Sequence, residues 1–76
     1  MKNLLAEISK QVVDYPEQVS VNEIDGDHTI VFELSVATED LGKIIGKRGR
    51  TIGAIRTIMM AISGKIQKRI VVELLE

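Results

Sequence analysis

The spacing of apolar residues at the start of the chain predicts an amphipathic helix over residues 3–14. Its buried face would hold Leu4, Leu5, Ile8, Val12 and Tyr15. Pro16 should end the helix, because proline disfavours α-helical geometry in the residue before it.

The spacing then changes from helical to alternating, which predicts a β-hairpin. Val19 and Val21 alternate with polar residues and indicate a short strand to about Ile24. The turn formers at residues 25–27 separate it from a second strand over residues 29–36. The inward-facing residues of that strand would be Ile30, Phe32, Leu34 and Val36.

The second half of the chain predicts two helices and a last strand. Thr38 is placed to cap a short helix whose buried side would be Leu41, Ile44 and Ile45. A third helix is expected over residues 50–63, with Gly64 as its stop. Its core stripe would be Ile52, Ile55, Ile58, Met59 and Ile62. The last strand is expected over residues 67–75, with Ile70, Val72 and Leu74 inward.

The element order is therefore α-β-β-α-α-β, which predicts an α+β fold. The second and last strands are joined by a two-helix crossover, so they can lie parallel. We expect a three-stranded mixed sheet with three helices packed on one face, in a single domain over residues 1–76.

Composition narrows the class of protein further. The 76 residues include no cysteine, which excludes disulfides and thiolate metal sites. No signal peptide or membrane-spanning run is recognisable, so a cytoplasmic protein is expected.

Charge is unevenly distributed along the chain. Residues 1–40 carry nine acids and two cations, whereas residues 41–69 carry eight cations and no acid. A polyanion interacts with this local positive charge and not with the overall net charge of −1, so the charge distribution is compatible with a nucleic-acid partner.

The basic segment contains a glycine-bracketed stretch between the two middle helices. Gly46 and Gly49 enclose Lys47 and Arg48, and isoleucines flank them on both sides. Glycine lets a ligand backbone approach closely and tolerates positive φ. The amides of Gly49, Arg50 and Thr51 would open the next helix and offer free donors to a phosphate.

This order of elements, with Ile45-Gly46-Lys47-Arg48-Gly49 between two helices and Ile52 after it, resembles the KH domain in its type II arrangement. A single KH domain of this length resembles the small bacterial RNA-binding family called KhpA. The matching stretch runs over residues 42–52 and continues through Ala54, Ile55 and Arg56.

The resemblance implies how single-stranded RNA would bind. A KH domain holds about four nucleotides, with its Gly-x-x-Gly loop against their backbone. By position, residues 46–49 (Gly46, Lys47, Arg48 and Gly49) would form the clamp. Ile44 or Ile45, Ile52 and Val36 would floor an apolar groove. Lys43, Arg50 and Arg56 would supply wider electrostatic attraction.

The aromatic content agrees with such a groove. The only aromatic residues are Tyr15 and Phe32, and both fall in predicted core patterns. Domains that grip bases by aromatic stacking need more of them. Because few base-specific groups are visible, weak sequence preference is expected.

The resemblance also implies partners and a cellular role. Family members are described as self-associating, and as pairing with a larger RNA-binding protein that carries its own KH domain. They are linked to RNA regulation of the RNA-chaperone type and to cell elongation and wall growth. On the third helix, Met60 and its neighbours Thr57 and Met59 are expected to form a dimer contact.

Other functions fit the sequence less well. A P-loop would need one more residue between Gly42 and Gly46 and a serine or threonine where Arg48 stands. His28 lies beside turn-forming aspartates, and no nucleophile–base pair is apparent, so neither an enzyme nor a metal or other cofactor is expected. Two alternatives stay open: a protein–protein adaptor with weak or no RNA binding, and single-stranded DNA in place of RNA.

Overall fold

In the computed structural model, which describes all 76 residues, the chain forms three α-helices and three strands in the predicted order. The helices are α1 (Lys2–Val12), α2 (Leu41–Ile45) and α3 (Arg50–Ile66), and the strands are β1 (Ser20–Asp25), β2 (Thr29–Ser35) and β3 (Arg69–Leu74). Short 3-10 turns at Pro16–Gln18, Thr38–Asp40 and Lys47–Gly49 lie before β1, α2 and α3.

The three strands form one mixed sheet in the order β1-β2-β3. β1 is antiparallel to β2, with Val21 opposite Leu34. β3 is parallel to β2, with Val31 opposite Val71. The predicted three-stranded mixed sheet is confirmed, and β1 and β3 are its two edge strands.

The core lies between one face of this sheet and the helices. Its ten buried apolar side chains come from all three helices and from β2 and β3. The most deeply buried of them are Leu5, Phe32, Leu34, Ile44 and Met59. The core therefore holds α2 and α3 against the sheet, and with them the loop that joins these helices.

The predicted placement of Tyr15 is wrong. α1 ends at Val12, so Tyr15 no longer follows the helical spacing and stays 40% exposed. Leu4, which is on the helix, is exposed to the same extent. Phe32 is thus the only aromatic side chain in the core.

The start of α2 also differs from the prediction. Thr38 makes no capping hydrogen bond and is the first residue of a 3-10 turn that leads into the helix. Asp40, at the end of that turn, is fully buried. Its two carboxylate oxygens accept hydrogen bonds from the amides of Asp14 and Tyr15, each at 3.0 Å. Asp40 thereby ties the segment after α1 to the beginning of α2.

α3 is longer than expected and passes through Gly64. It ends at Ile66, and the next residue, Gln67, has left-handed geometry and donates its amide to the carbonyl oxygen of Ser63 at 2.9 Å. A glycine inside a helix costs only about 1 kcal/mol against alanine, so it does not stop a packed helix alone. Ile58, predicted to be in the core, is 45% exposed, whereas Met59 is fully buried.

Candidate nucleic-acid interface

The loop between α2 and α3 consists of the four residues 46–49 and contains a tight turn. Gly46 has φ 75° and ψ 174°, and Gly49 has φ 73°. Arg48 also has positive φ, at 57°, which is uncommon for a residue with a side chain. The amide of Gly49 donates to the carbonyl oxygen of Gly46 at 3.1 Å and closes the turn. This geometry exposes the side chains of Lys47 and Arg48 at the tip of the loop.

The two glycines have different surroundings. A Cβ on Gly46 would lie 2.2 Å from Thr51 Oγ1 and 2.8 Å from the Thr51 amide nitrogen. A Cβ on Gly49 would meet no atom within 4 Å. The packing of the loop therefore requires glycine at Gly46. At Gly49 the absence of a side chain instead leaves open surface for a ligand.

The backbone donors at this loop are fewer than the sequence predicts. The amides of Gly49 and Arg50 donate to the carbonyl oxygens of Gly46 and Lys47, so the expectation that both are free is wrong. No side chain caps the N-terminus of α3. The positive end of the dipole of this 17-residue helix thus points into the loop without a counter-charge.

The cations predicted for the site separate into free and engaged groups. Lys47, Arg48 and Arg50 are exposed, and none of the three ion pairs in the structure involves them. Lys43 instead pairs with Asp14. The hydrogen bond to the Asp14 carboxylate raises the pKa of the Lys43 ammonium above its ordinary value. Among the cations predicted for the site, those without an ion pair or a backbone partner therefore lie in and directly after the loop.

The predicted apolar floor is only partly at the surface. Ile44 is fully buried and Ile52 is 6% exposed, so both belong to the core and their assignment to the groove floor is wrong. Ile45 and Val36 are partly exposed. Both core isoleucines lie on helix faces that pack inward, which sequence spacing alone did not separate from a groove face.

A cavity of about 230 Å³ lies farther along α3, between that helix and the free edge of β3. Arg56, Met60 and Ser63 line it from α3, and residues 69–72 line it from β3. Of these residues only Arg56 was predicted as a binding residue. Met60 was predicted for a dimer contact, and the remaining lining residues were not singled out, because the cavity exists only where α3 lies beside a strand that pairs on one side.

Backbone groups of β3 face this cavity. The amides of Arg69 and Leu75 donate to β2 or its flanking residue, at 2.9 and 2.8 Å. Because parallel strands alternate in the direction of their backbone groups, those of Ile70 and Val72 point away from β2. Arg56 Nε donates to the Val72 carbonyl oxygen at 3.1 Å. The cavity therefore combines apolar side chains with a guanidinium and unpaired strand-edge groups.

The outward side of α3 carries the residues predicted for a dimer contact, with one correction. Thr57 is exposed and Met60 is 59% exposed, but Met59 is fully buried and belongs to the core. Ile58 and Ala61 are exposed on the same helix. No charged residue interrupts the helix between Arg56 and Lys65.

None of the helices combines the length and the apolar character that crossing a membrane requires. No group of three or more histidine, aspartate or glutamate side chains comes together in a way that could hold a metal ion.

The sequence matches the family model described as "KhpA/KhpB, KH domain" over residues 2–74. It is 51% identical to the RNA-binding protein KhpA of Chlamydia pneumoniae, over the whole of this chain and 97% of the relative. It is also 51% identical to the RNA-binding protein KhpA of Clostridium acetobutylicum, over 99% of this chain and the whole relative.

The fold has a counterpart among solved structures. Era from Aquifex aeolicus, solved as a variant bound to GDP.AlF4-, superposes with a TM-score of 0.66 at 19% identity. The match covers 96% of this chain and 28% of that one, and it supports the fold alone. The full-length family match and these relatives, together with the type II KH order of elements, lead to one conclusion: this chain is a member of the KhpA/KhpB family of KH-domain proteins.

Proposed function

We propose that this protein binds single-stranded RNA, with the sugar–phosphate backbone held at residues 46–49. The observation that carries the proposal is the loop itself. Lys47 and Arg48 are exposed and unpaired, Gly49 leaves open surface, and α3 begins beside them without a cap. Helix N-termini and mobile cations both favour phosphate. The relatives' name, RNA-binding protein, agrees with this function.

The bases of the same strand would lie toward the cavity between α3 and β3. Arg56 and the backbone groups of Ile70 and Val72 can hydrogen-bond to base edges there. The partly exposed Ile45 supplies apolar contact, in place of the buried Ile44 and Ile52. Because few side chains at the site can read a base, we still expect weak sequence preference.

Removing the charge of the loop tests this function. Lys47→Asp combined with Arg48→Asp should abolish binding of a short fluorescent single-stranded RNA and leave the circular dichroism spectrum unchanged. Both side chains are exposed and make no contact that the fold needs. Lys2→Asp with Lys10→Asp is the matched control, since it changes the net charge equally on α1.

Salt dependence provides a second readout for the parent protein. For single strands, log K falls with log salt by about 0.7 per neutralised phosphate, so two to four contacts give a slope of roughly −1.5 to −3. If the loop double variant binds as well as the parent while the α1 control is also unchanged, the loop does not hold the RNA.

The same assay distinguishes the two alternatives, which are binding of single-stranded DNA and an adaptor function without RNA binding. Single-stranded DNA of equal sequence should bind more weakly if a 2′-hydroxyl is read, and equally if only phosphates are. An adaptor without RNA binding would show no saturable binding to either strand at low salt, although the protein is folded.

We further propose that a second KH-domain chain docks on the outward side of α3. That chain is either another copy of this protein, which gives a homodimer, or a larger KH-containing RNA-binding protein, which gives a heterodimer. Thr57, Ile58, Met60 and Ala61 present small and apolar side chains there. A domain of 76 residues has a small core and gains stability from covering such a surface.

The cellular role that we propose is RNA regulation of the chaperone type in the cytoplasm, with an effect on cell elongation and wall growth. It follows from the family resemblance and rests on RNA binding. A strain that carries only the Lys47→Asp, Arg48→Asp protein should show the cell-length defect of a deletion strain. Normal cell length in that strain, with a defect in the deletion strain, would separate this role from RNA binding.

A further inference from the structure

Arg69 borders the cavity at the end far from the Gly46–Gly49 loop. It is the first residue of β3, it is exposed, and it takes part in none of the ion pairs. Its position is fixed by the sheet, because its amide donates to the carbonyl oxygen of His28 at 2.9 Å. The backbone that carries this unengaged guanidinium is thus held in place beside the cavity.

The neighbouring cation has a different role. Lys68 Nζ donates to Asp25 Oδ1 at 2.8 Å and so joins the turn between α3 and β3 to the hairpin. Its charge is neutralised by that aspartate. Of the two adjacent cations, only Arg69 is available to an anion, and the pair offers a matched comparison.

Arg69 is too distant from the loop to share its phosphate. Helix α3 begins at Arg50 beside the loop and reaches the cavity's last lining residue, Ser63, thirteen residues later. At 1.5 Å per residue this separation is about 20 Å, which exceeds the reach of a single nucleotide. An RNA strand that occupied both places would have to extend along most of α3.

We propose that Arg69 contacts a second phosphate of the bound RNA strand, beyond the base that occupies the cavity, and so sets the shortest RNA that binds with full affinity. This inference rests on the RNA-binding function proposed above. Arg56 lies between the two phosphate sites, with Nε committed to the Val72 carbonyl oxygen. The loop and Arg69 would then hold the strand at its two ends.

A length series tests the proposal. The affinity of parent, Arg69→Ala and Lys68→Ala proteins is measured for oligouridylates from about two to ten nucleotides, a range that brackets the four nucleotides of a KH clamp. Arg69→Ala should lower affinity by about three- to tenfold for the longer RNAs and leave the shortest unaffected, with the salt slope smaller by about 0.7. Lys68→Ala should bind like the parent at every length.

Arg69→Lys should restore most of the affinity, because a phosphate contact needs a cation rather than a particular fork geometry. Equal affinity of parent and Arg69→Ala proteins at every length, with binding still abolished by the loop double variant, would overturn this inference and leave the proposed function intact. An Arg69→Ala loss that is the same for the shortest and longest RNAs would also overturn it. Failure of both variants to weaken binding would instead count against the RNA site as a whole.

Discussion

Gly46 and Gly49 are constrained by different neighbours. Gly46 lies against the backbone and side chain of Thr51, in a φ/ψ region that is almost restricted to glycine. Gly49 has left-handed geometry that other residues reach at a cost of about 1–2 kcal/mol, and open space faces it. The first glycine shapes the loop, and the second gives access to it.

We therefore predict that the alanine variant of Gly46 mainly loses stability, whereas that of Gly49 mainly loses RNA binding. Gly46→Ala should lower the free energy of unfolding by about 2–4 kcal/mol, because strain and a backbone clash add. Gly49→Ala should cost less, about 1–2 kcal/mol, and should weaken RNA binding in the folded protein, since its methyl group fills the approach to the loop. Urea unfolding and RNA titration measure the two effects. Equal losses of stability in both variants would contradict this division of roles.

Asp40 is a residue whose role only its neighbours explain. A buried carboxylate is costly unless it is hydrogen-bonded, and here two backbone amides of the segment after α1 satisfy it. The contact holds α2 in place at the end opposite the loop. It is part of the support that lets a five-residue helix present a defined turn.

At the scale of elements, α3 connects every part of the site. Its N-terminus forms one side of the loop, Arg56, Met60 and Ser63 line the cavity, and its outward side carries the proposed dimer contact. Near its C-terminal end Ser63 lies beside β3, and Arg69 borders the same cavity from the start of that strand.

The helical state of Gly64 leads to a stability prediction. A Cβ at this position would meet no atom within 4 Å, and its φ is ordinary for a helix. Gly64→Ala should therefore raise the free energy of unfolding by about 0.5–1 kcal/mol, which is a rise in Tm of several degrees for a domain of this size. Thermal and urea unfolding check it. The control is Gly26→Ala in the hairpin, where a Cβ would lie 3.0 Å from the Thr29 carbonyl oxygen and should not stabilise. A loss of stability in Gly64→Ala would mean that the helix stops before this residue.

At the scale of the whole molecule, the surface of α3 that is free of charge predicts self-association. Ala61→Glu should shift the protein toward monomer in sedimentation equilibrium at high micromolar concentration, because it buries a charge in the proposed contact. Met60→Glu should act in the same direction. Leu4→Glu, at an exposed apolar residue of α1, is the matched control and should leave the mass unchanged. A parent protein that stays strictly monomeric, and is unaltered by either α3 variant, would exclude this contact.

Much of the fold could be predicted because its signals are local. The alternation of Ile30, Phe32 and Leu34 allows one buried strand face, and the turn at residues 25–27 allows a hairpin. The crossover through two helices then leaves β3 parallel to β2. The loop could be predicted from the same kind of signal, because two glycines that enclose two cations between two helices are recognisable in the sequence.

Errors arose where an outcome depends on neighbours distant in sequence. Ile58 was predicted to be in the core, and Ile44 and Ile52 were predicted to contact a ligand, but the structure shows the opposite exposure. Periodicity shows which residues share a helix face, but it does not show which other segment covers that face. The free state of Arg69 and the engaged states of Lys43 and Lys68 likewise depend on acids far along the chain.

The sequence by itself determined the order of elements, the glycine-bracketed cationic loop and the family, because each depends on residues close together in the chain. Only the tertiary structure decided which side chains stay exposed, which charges are neutralised and that a cavity lies between α3 and β3. These properties depend on contacts between distant segments, such as the crossing of α3 beside a strand whose outer edge is unpaired.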